Sequence, residues 1–436
     1  MGQLLAGTAR ENITPPVGVD QCGFAARSGP STGLHDDLLA KALYLGDGES
    51  GVVLITADII GLNHAQATDI RGKVAAGAGV SADAVMITCS HTHSGPVTPC
   101  IRYLGDVDED YMAATEGKLA AIGIAAARAA RPATCGWRRE SVRIHNNRRQ
   151  RTPEGMAIGV NPRGTVAPWA DVLAVDTAEG RPLARWFMHA CHAVVLGGEN
   201  LLLSGDWPGY AQRVLEAAEP EATALYAQGC CGDLNPKARG TFEIAERLGK
   251  EVAGAAIKGA AQAEKSADVT LGHAGRMLDL PLQDPPSVAE AESIVAENEA
   301  YYAEHEAGAL YFEREWYKGW VAWAQRLLEL AKEGVTGMTT PYYVQALRIG
   351  DGVIVGLPGE VFAQYAISIG DASPATPTAV TAYTNGYVGY VPTEAAFAEG
   401  GYEVDVAYKI ALPTMLKPDC ERIILGAAEE LVGGLF

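Results

Sequence analysis

The chain has 436 residues, 48% of them hydrophobic and 20% charged, the balance of a globular protein rather than a disordered or low-complexity one. Its 34 Lys and Arg face 53 Asp and Glu, a net charge of −19. That balance argues against nucleic acid or an anionic membrane surface as main partner, because phosphates are held by clustered cations. The N-terminal MGQLLAGTAR lacks the basic region and apolar core of a secretory signal. No apolar run approaches the ~20 residues of a membrane helix. Eight cysteines, with no C-x-x-C pair among them, fit reduced, buried thiols, so a cytoplasmic location is expected.

In chain order, Val52–Asp58 and Ala84–Ser90 read as short buried strands rich in β-branched residues, with a helix over His64–Ala76 between them. Asp108–Ala130 is Ala-rich and predicts another helix. Ala184–His189 and Thr223–Gln228 predict strands that flank a helix at Tyr210–Ala218. Ser287–Gly334 differs: rich in Ala and Glu, it predicts a helical insertion of two long helices with a break near Gly308. Within it Trp316, Trp320 and Trp323 share one helical face. That stripe packs on the sheet domain, covers an apolar pocket as a lid, or makes an oligomer contact. Tyr343–Ile349, Val353–Leu357 and Ala379–Thr384 continue the strand pattern. The alternation predicts an α/β fold: a mixed sheet core with flanking helices on both faces, plus the helical insertion.

The chemistry-bearing residues follow predicted strands. Ser90-His91-Thr92-His93-Ser94-Gly95-Pro96 leaves one strand and ends in a Gly-Pro breaker. Alternate side chains on an extended segment share a face, so His91 and His93 suit a metal, or one ligand and one acid/base. A polar loop is the plainer alternative. His192 leaves an apolar strand upstream of Ser204-Gly205-Asp206, while His189 in the same segment reads better as a hydrogen-bonded core residue. Gln228–Pro236 follows another strand, and its Asp233 is placed to orient a neighbouring ligand. Leu357-Pro358-Gly359-Glu360 ends a strand and opens a helix, which leaves Glu360 as a dipole partner or a metal carboxylate.

These motifs, in this order, resemble the neutral/alkaline (non-lysosomal) ceramidase family of zinc-dependent amidases. The resemblance runs from Gly7–Pro16 (GTARENITPP) through His35-Asp36, Ser90–Pro96, His192, Leu203–Asp206, Gly229–Pro236 and Leu357–Glu360 to the region of Tyr402, most of the chain. It implies zinc held by His91, His192, Glu360 and a tyrosine of Asn385-Gly386-Tyr387-Val388-Gly389-Tyr390, with Tyr390 preferred to Tyr387. It implies a catalytic tyrosine twelve residues on, which Tyr402-Glu403 fits. His93 resembles the family's acid/base residue. Arg148, after Asn146-Asn147, resembles its substrate-carbonyl contact, with Arg149 as the fallback. Asp206 and Asp233 are expected to hold a ligand imidazole through its other nitrogen.

The implied reaction is attack of metal-generated hydroxide on an amide carbonyl, with loss of the amine. The chain also departs from the family. Members usually carry a C-terminal β-sandwich domain, for which residues after Tyr402 leave no room, so a single catalytic domain over 1–436 is expected, with 287–334 inserted in it. The loop Gly232-Asp233-Leu234-Asn235-Pro236 has Asn where the family has Ser. These differences favour a small soluble amide over ceramide as substrate. A zinc esterase or lactonase on the same site is one alternative, and a non-catalytic binding protein on the same fold is another. The His/Glu set also suits other divalent ions. A Cys191 nucleophile is the least favoured reading, since neighbouring residues on a strand face opposite ways. Self-association is left open.

Overall fold

In the computed structural model, which describes residues 3–436, two apolar segments show how the chain is built. Gly51–Ala57 and Val85–Cys89, every residue buried, pair in parallel and are joined by the helix His64–Ala78. Asn63 starts that helix by accepting from the Gln66 amide, while the Gln66 side chain accepts from Asn63 in return. Gly79, at φ 73°, ends it in the left-handed region that glycine tolerates. The same unit recurs twice. Pro182–His189 runs parallel to Thr223–Gln228 across the helix Asp206–Ala218. Gly352–Gly356 runs parallel to Thr378–Thr381 across Ala363–Ala372. These are the strand–helix–strand units the sequence alternation predicts.

The other pairings within the main sheets are antiparallel. In sheet order the eight main strands are Thr223–Gln228, Pro182–His189, Trp169–Thr177, Arg131–Ser141, Leu5–Asn12, Leu39–Gly46, Gly51–Ala57 and Val85–Cys89. Among the described residues the two halves are joined by a short ladder, Leu5↔Pro132 and Ala6↔Arg131. At that thin link the sheet turns over, and the halves face each other across one core. Leu43, Leu45, Val52 and Leu54 from one half meet Leu173, Val175, Trp186 and Leu225 from the other. The alternate residues point outward to helices, as the two-residue period of a strand requires. Ala42, Val53 and Ile55 meet Ile70, Val74, Leu119 and Ile122. Val172, Ala174 and Phe187 meet Trp207, Leu215, Leu248 and Val252. Helices therefore lie on both outer faces, but of a folded-over pair of sheets rather than of one sheet. Truncating a central residue such as Leu54 to Ala should cost about 2–5 kcal/mol. Gly249 lets two of the outer helices approach, since a Cβ there would stand 2.6 Å from Cβ of Tyr210.

A third sheet, Leu271–Pro281, Thr339–Ile349, Gly352–Gly356 and Thr378–Thr381, adds Leu347, Ile349 and Ile354 to the same central core. Residues 287–334 form the helices Val288–His305 and Tyr311–Lys332, joined by a short turn at Glu306–Gly308. The tryptophan stripe packs on loops rather than on a sheet. Trp323 is buried beside Tyr103 and Tyr408 and donates to the Pro413 carbonyl. Trp320 and Trp323 flank the Lys409 ammonium at 5.3 and 4.5 Å. No helix of the described residues is long and apolar enough to cross a membrane.

Candidate metal centre

The parallel units converge. His91 and His93 follow the end of Val85–Cys89, His192 follows Pro182–His189, and Asp233 follows Thr223–Gln228. Glu360 follows Gly352–Gly356, and Tyr390 lies beyond Thr378–Thr381, where Glu360 and Tyr390 stand opposite each other in a short parallel pair. The carboxyl ends of parallel strands are where open α/β sheets gather ligands. Backbone strain concentrates there too. His91, Asp206, Tyr383 and Asn385 all hold positive φ, between 52° and 58°, at roughly 1 kcal/mol or more each.

The imidazoles are aimed by main-chain oxygens. Nδ1 of His91 donates to the Ile60 carbonyl at 2.7 Å. Nδ1 of His192 faces the carbonyls of Cys231 at 2.7 Å and Leu234 at 3.0 Å. Nδ1 of His93 donates to the Gly23 carbonyl at 3.2 Å. A carbonyl can only accept, so each Nδ1 carries the hydrogen, and each ring in its neutral form turns an Nε2 lone pair inward. Those lone pairs meet: Nε2 of His91 and Nε2 of His93 are 3.2 Å apart, and the ligand atoms of His91, His93 and His192 all lie within 4.8 Å of one another. Glu360 Oε2 joins them, 3.0 Å from His192 Nε2 and 3.6 Å from His91 Nε2.

Three lone pairs and a carboxylate turned toward one point repel unless a cation lies between them. A proton on His192 or His93 is a poor candidate. Burial pushes His192 down to about 4 and His93 well below its ordinary value. Burial alone would raise the Glu360 carboxyl, but positive charge at the His91 and His192 positions outweighs it and holds it well below the usual carboxylate range, the role a cation among these side chains would fill. The donor set of imidazole nitrogen and carboxylate oxygen therefore fits a divalent metal of the zinc type. Tyr387 donates to the other Glu360 oxygen at 2.6 Å, and the Tyr383 ring stacks on His91 with centroids 4.1 Å apart.

Beside this cluster stand Arg148, Tyr390 and Tyr402. The Tyr390 and Tyr402 rings lie 5.9 Å apart, and the Arg148 guanidinium lies 5.3 and 5.9 Å from their centres. Glu403 grips Arg148 Nε at 2.8 Å and Arg149 Nη1 at 2.7 Å. Two successive strand residues reach one carboxylate because the hairpin register shifts between Asn147 and Arg149. The Arg148 Nη2 group is buried without a hydrogen-bond partner, a donor left free for a guest. Burial alone would lower Arg148, but Tyr390 and Glu403 outweigh it and keep it charged. Burial raises Tyr402 to about 12, so its hydroxyl is a neutral donor at physiological pH. Arg149 turns away to Glu399 and the Gly400 carbonyl.

The structure thus brings His91, His93, His192, Glu360, Tyr390, Tyr402 and Arg148 together. Asp206 and Asp233 correct an expectation, since neither touches an imidazole. The Nδ1 position of His192 is taken by the Cys231 and Leu234 carbonyls and that of His91 by the Ile60 carbonyl. Asp206 accepts from the amides of Leu196 and Trp207 instead. Asp233 accepts from Asn147 Nδ2 and the Ala363 amide, and burial raises both carboxyls to about 6. The Cys191 thiol packs into the outer helical core and burial pushes it well up, which leaves no nucleophile there. Tyr383 and Glu403 were missed as site residues by sequence reasoning, and Tyr387, there the second choice as a ligand, instead donates to Glu360. Glu403 had a signal in its place after Tyr402, whereas Gln228, which donates to the carbonyls of Ser90 and Cys191 and so ties the two histidine loops, had none.

Comparison with known proteins speaks to kinship and fold. The sequence model of the neutral/alkaline non-lysosomal ceramidase N-terminal region matches residues 4–255, more than half of the chain. No curated protein matches at the sequence level. The neutral ceramidase from Pseudomonas aeruginosa superposes with a TM-score of 0.74 at 18% identity, over 100% of this chain and 75% of that one. A structure of a ceramidase complexed with C2 superposes with a TM-score of 0.75 at 19% identity, over the same shares. At these identities the superpositions speak for the fold, and the sequence match speaks for the kinship: the chain belongs to the neutral/alkaline non-lysosomal ceramidase family.

Proposed function

We propose that the protein is a zinc-dependent hydrolase that cleaves the carbon–nitrogen bond of a small soluble amide. The observation that carries this is the pairing of an inward-facing donor cluster with a buried, unpartnered guanidinium N–H beside it. Zinc held by His91, His192, Glu360 and Tyr390 would supply an acidified water near neutral pH and would polarise a carbonyl.

The chain's own residues do the rest. Nε2 of His93, unprotonated at rest, accepts the proton of the attacking water and returns it to the departing amine nitrogen, a role worth about 10²–10⁴-fold. Arg148 Nη2 and the Tyr402 hydroxyl donate to the carbonyl oxygen as it gains charge, each worth about 3 kcal/mol. Glu403 fixes the guanidinium before the substrate arrives. Of the seven assembled residues only His93 and Tyr402 reach solvent, and both only in part. That narrow access supports a small substrate over a bulky lipid.

The test is turnover of a panel of N-acyl aminocoumarin amides and matched esters, by protein stripped with chelator and then given zinc. Amide hydrolysis that vanishes on stripping and returns with zinc is the expected result. Turnover confined to esters would move the assignment to an esterase. No turnover of either class, with zinc bound, would favour a binding role.

A further inference from the structure

Arg27 is a fully buried cation whose partners are carbonyls rather than carboxylates. Its Nε donates to Asn200 O at 3.2 Å and its Nη1 to Gln21 O at 3.0 Å, with a further bond to Cys22 O. Its Nη2 donates to the main-chain oxygen of His93. Burial lowers the guanidinium to about 10, so it stays charged near neutrality. A buried charge is costly unless hydrogen bonds replace its water, and here one fork gathers carbonyls from three separate segments. One is the His93 main chain itself, the Asn200 segment touches the adjacent Ser94, and the 21–27 turn meets the His93 ring. The Gly23 carbonyl accepts from His93 Nδ1, and the Phe24 ring meets His93 edge-on at 5.0 Å while lying under the Arg27 guanidinium at 5.2 Å. A Cβ on Gly23, which sits at φ +100°, would collide with the His93 ring. The helical insertion backs this loop, since the Phe312 amide donates to Arg27 O.

We infer that Arg27 is a positioning residue for His93: its fork clamps the 21–27 turn and the His93 main chain together, which fixes the imidazole with Nε2 toward the donor cluster. This rests on the proposed hydrolase reading for its kinetic consequence but not for its geometry. Lysine keeps the charge yet lacks the planar fork. With His93 displaced, proton transfer suffers while binding does not. A shift of about 1 Å suffices for a 10²-fold loss.

The experiment is a double-mutant cycle of Arg27→Lys and His93→Ala on zinc-loaded protein with an N-acyl aminocoumarin amide. Arg27→Lys should lower kcat roughly 10²-fold with KM little changed, and should cost nothing further in the His93→Ala background. Arg27→Gln is the second variant if the lysine protein folds poorly by circular dichroism. An independent readout is the His93 Nδ1–H signal in nitrogen-labelled, metal-free protein, protected from exchange in wild type and lost in the Arg27 variants. This arm needs no turnover, so it stands even if the hydrolase reading fails. Equal losses in both backgrounds, or a His93 signal that stays protected in a folded Arg27 variant, would overturn the inference.

Discussion

The two sides of the site are held by different means. On the donor side, His91 and His192 hang from main-chain carbonyls that follow the ends of parallel strands, whereas His93 hangs from the Gly23 carbonyl of a turn. On the other side, Arg148 and Tyr402 are placed by side-chain charges, with Glu403 bridging Arg148 and Arg149. A carbonyl of a packed strand end cannot be removed by changing one side chain. An ion-pair bridge can be, because one neutralised carboxylate frees two arginines. The donor side should therefore keep its metal through most nearby substitutions, while the charged side should lose function without losing metal.

The sharpest separation comes from His93, which stands on the donor side but is not needed in the four-ligand set. His93→Ala should lower kcat by about 10²–10⁴-fold with metal content by mass spectrometry unchanged; loss of the metal would make His93 a ligand. Glu403→Gln should come next, a kcat loss of about 10²-fold with zinc retained, together with a lower melting temperature from the broken buried pair. Zinc lost in that variant would mean the two sides are one unit. Tyr387→Phe removes the 2.6 Å hydrogen bond to Glu360 and should weaken zinc binding about 10-fold in a chelator competition.

The smallest expected effect concerns pH. His189, stacked on His145, is buried and pushed down to about 4. Its folded pKa lies below the unfolded value, so its contribution to stability is complete above about 6.5 and is lost as pH falls toward 4, where only the unfolded chain takes up the proton. In metal-free protein the melting temperature should fall by a few degrees between pH 7 and pH 5, and less so in His189→Gln. Equal falls in both would contradict that assignment.

The same contrast explains what could be read in the sequence. Val85–Cys89 and Pro182–His189 announced themselves as apolar runs, and the residues that follow them carry the histidines. Arg131–Ser141 did not, because it reads as charged. Its Arg139 is neutralised across the strand pair by Asp171 at 2.6 Å and lies over the Trp169 ring, partners that no local pattern reveals. The helical hairpin was legible from composition, but the loops its tryptophans pack on were not. At the site, motifs marked His91, His93 and Glu360. Glu403 stands 255 residues from Arg148, and Arg27 stands 66 from His93, so their roles exist only once the chain has folded. Asp206 and Asp233 misled because a buried Asp near a histidine loop satisfies backbone amides as readily as an imidazole.

The central claim is that the inward-facing lone pairs of His91 and His192 with Glu360 hold a metal ion. The most direct measurement is metal content by mass spectrometry on dialysed wild type and on His192→Ala, each supplied with zinc beforehand. The account predicts close to one zinc per wild-type chain and little in the variant. A wild-type protein that retains no metal, or a variant that retains as much as wild type, would contradict it.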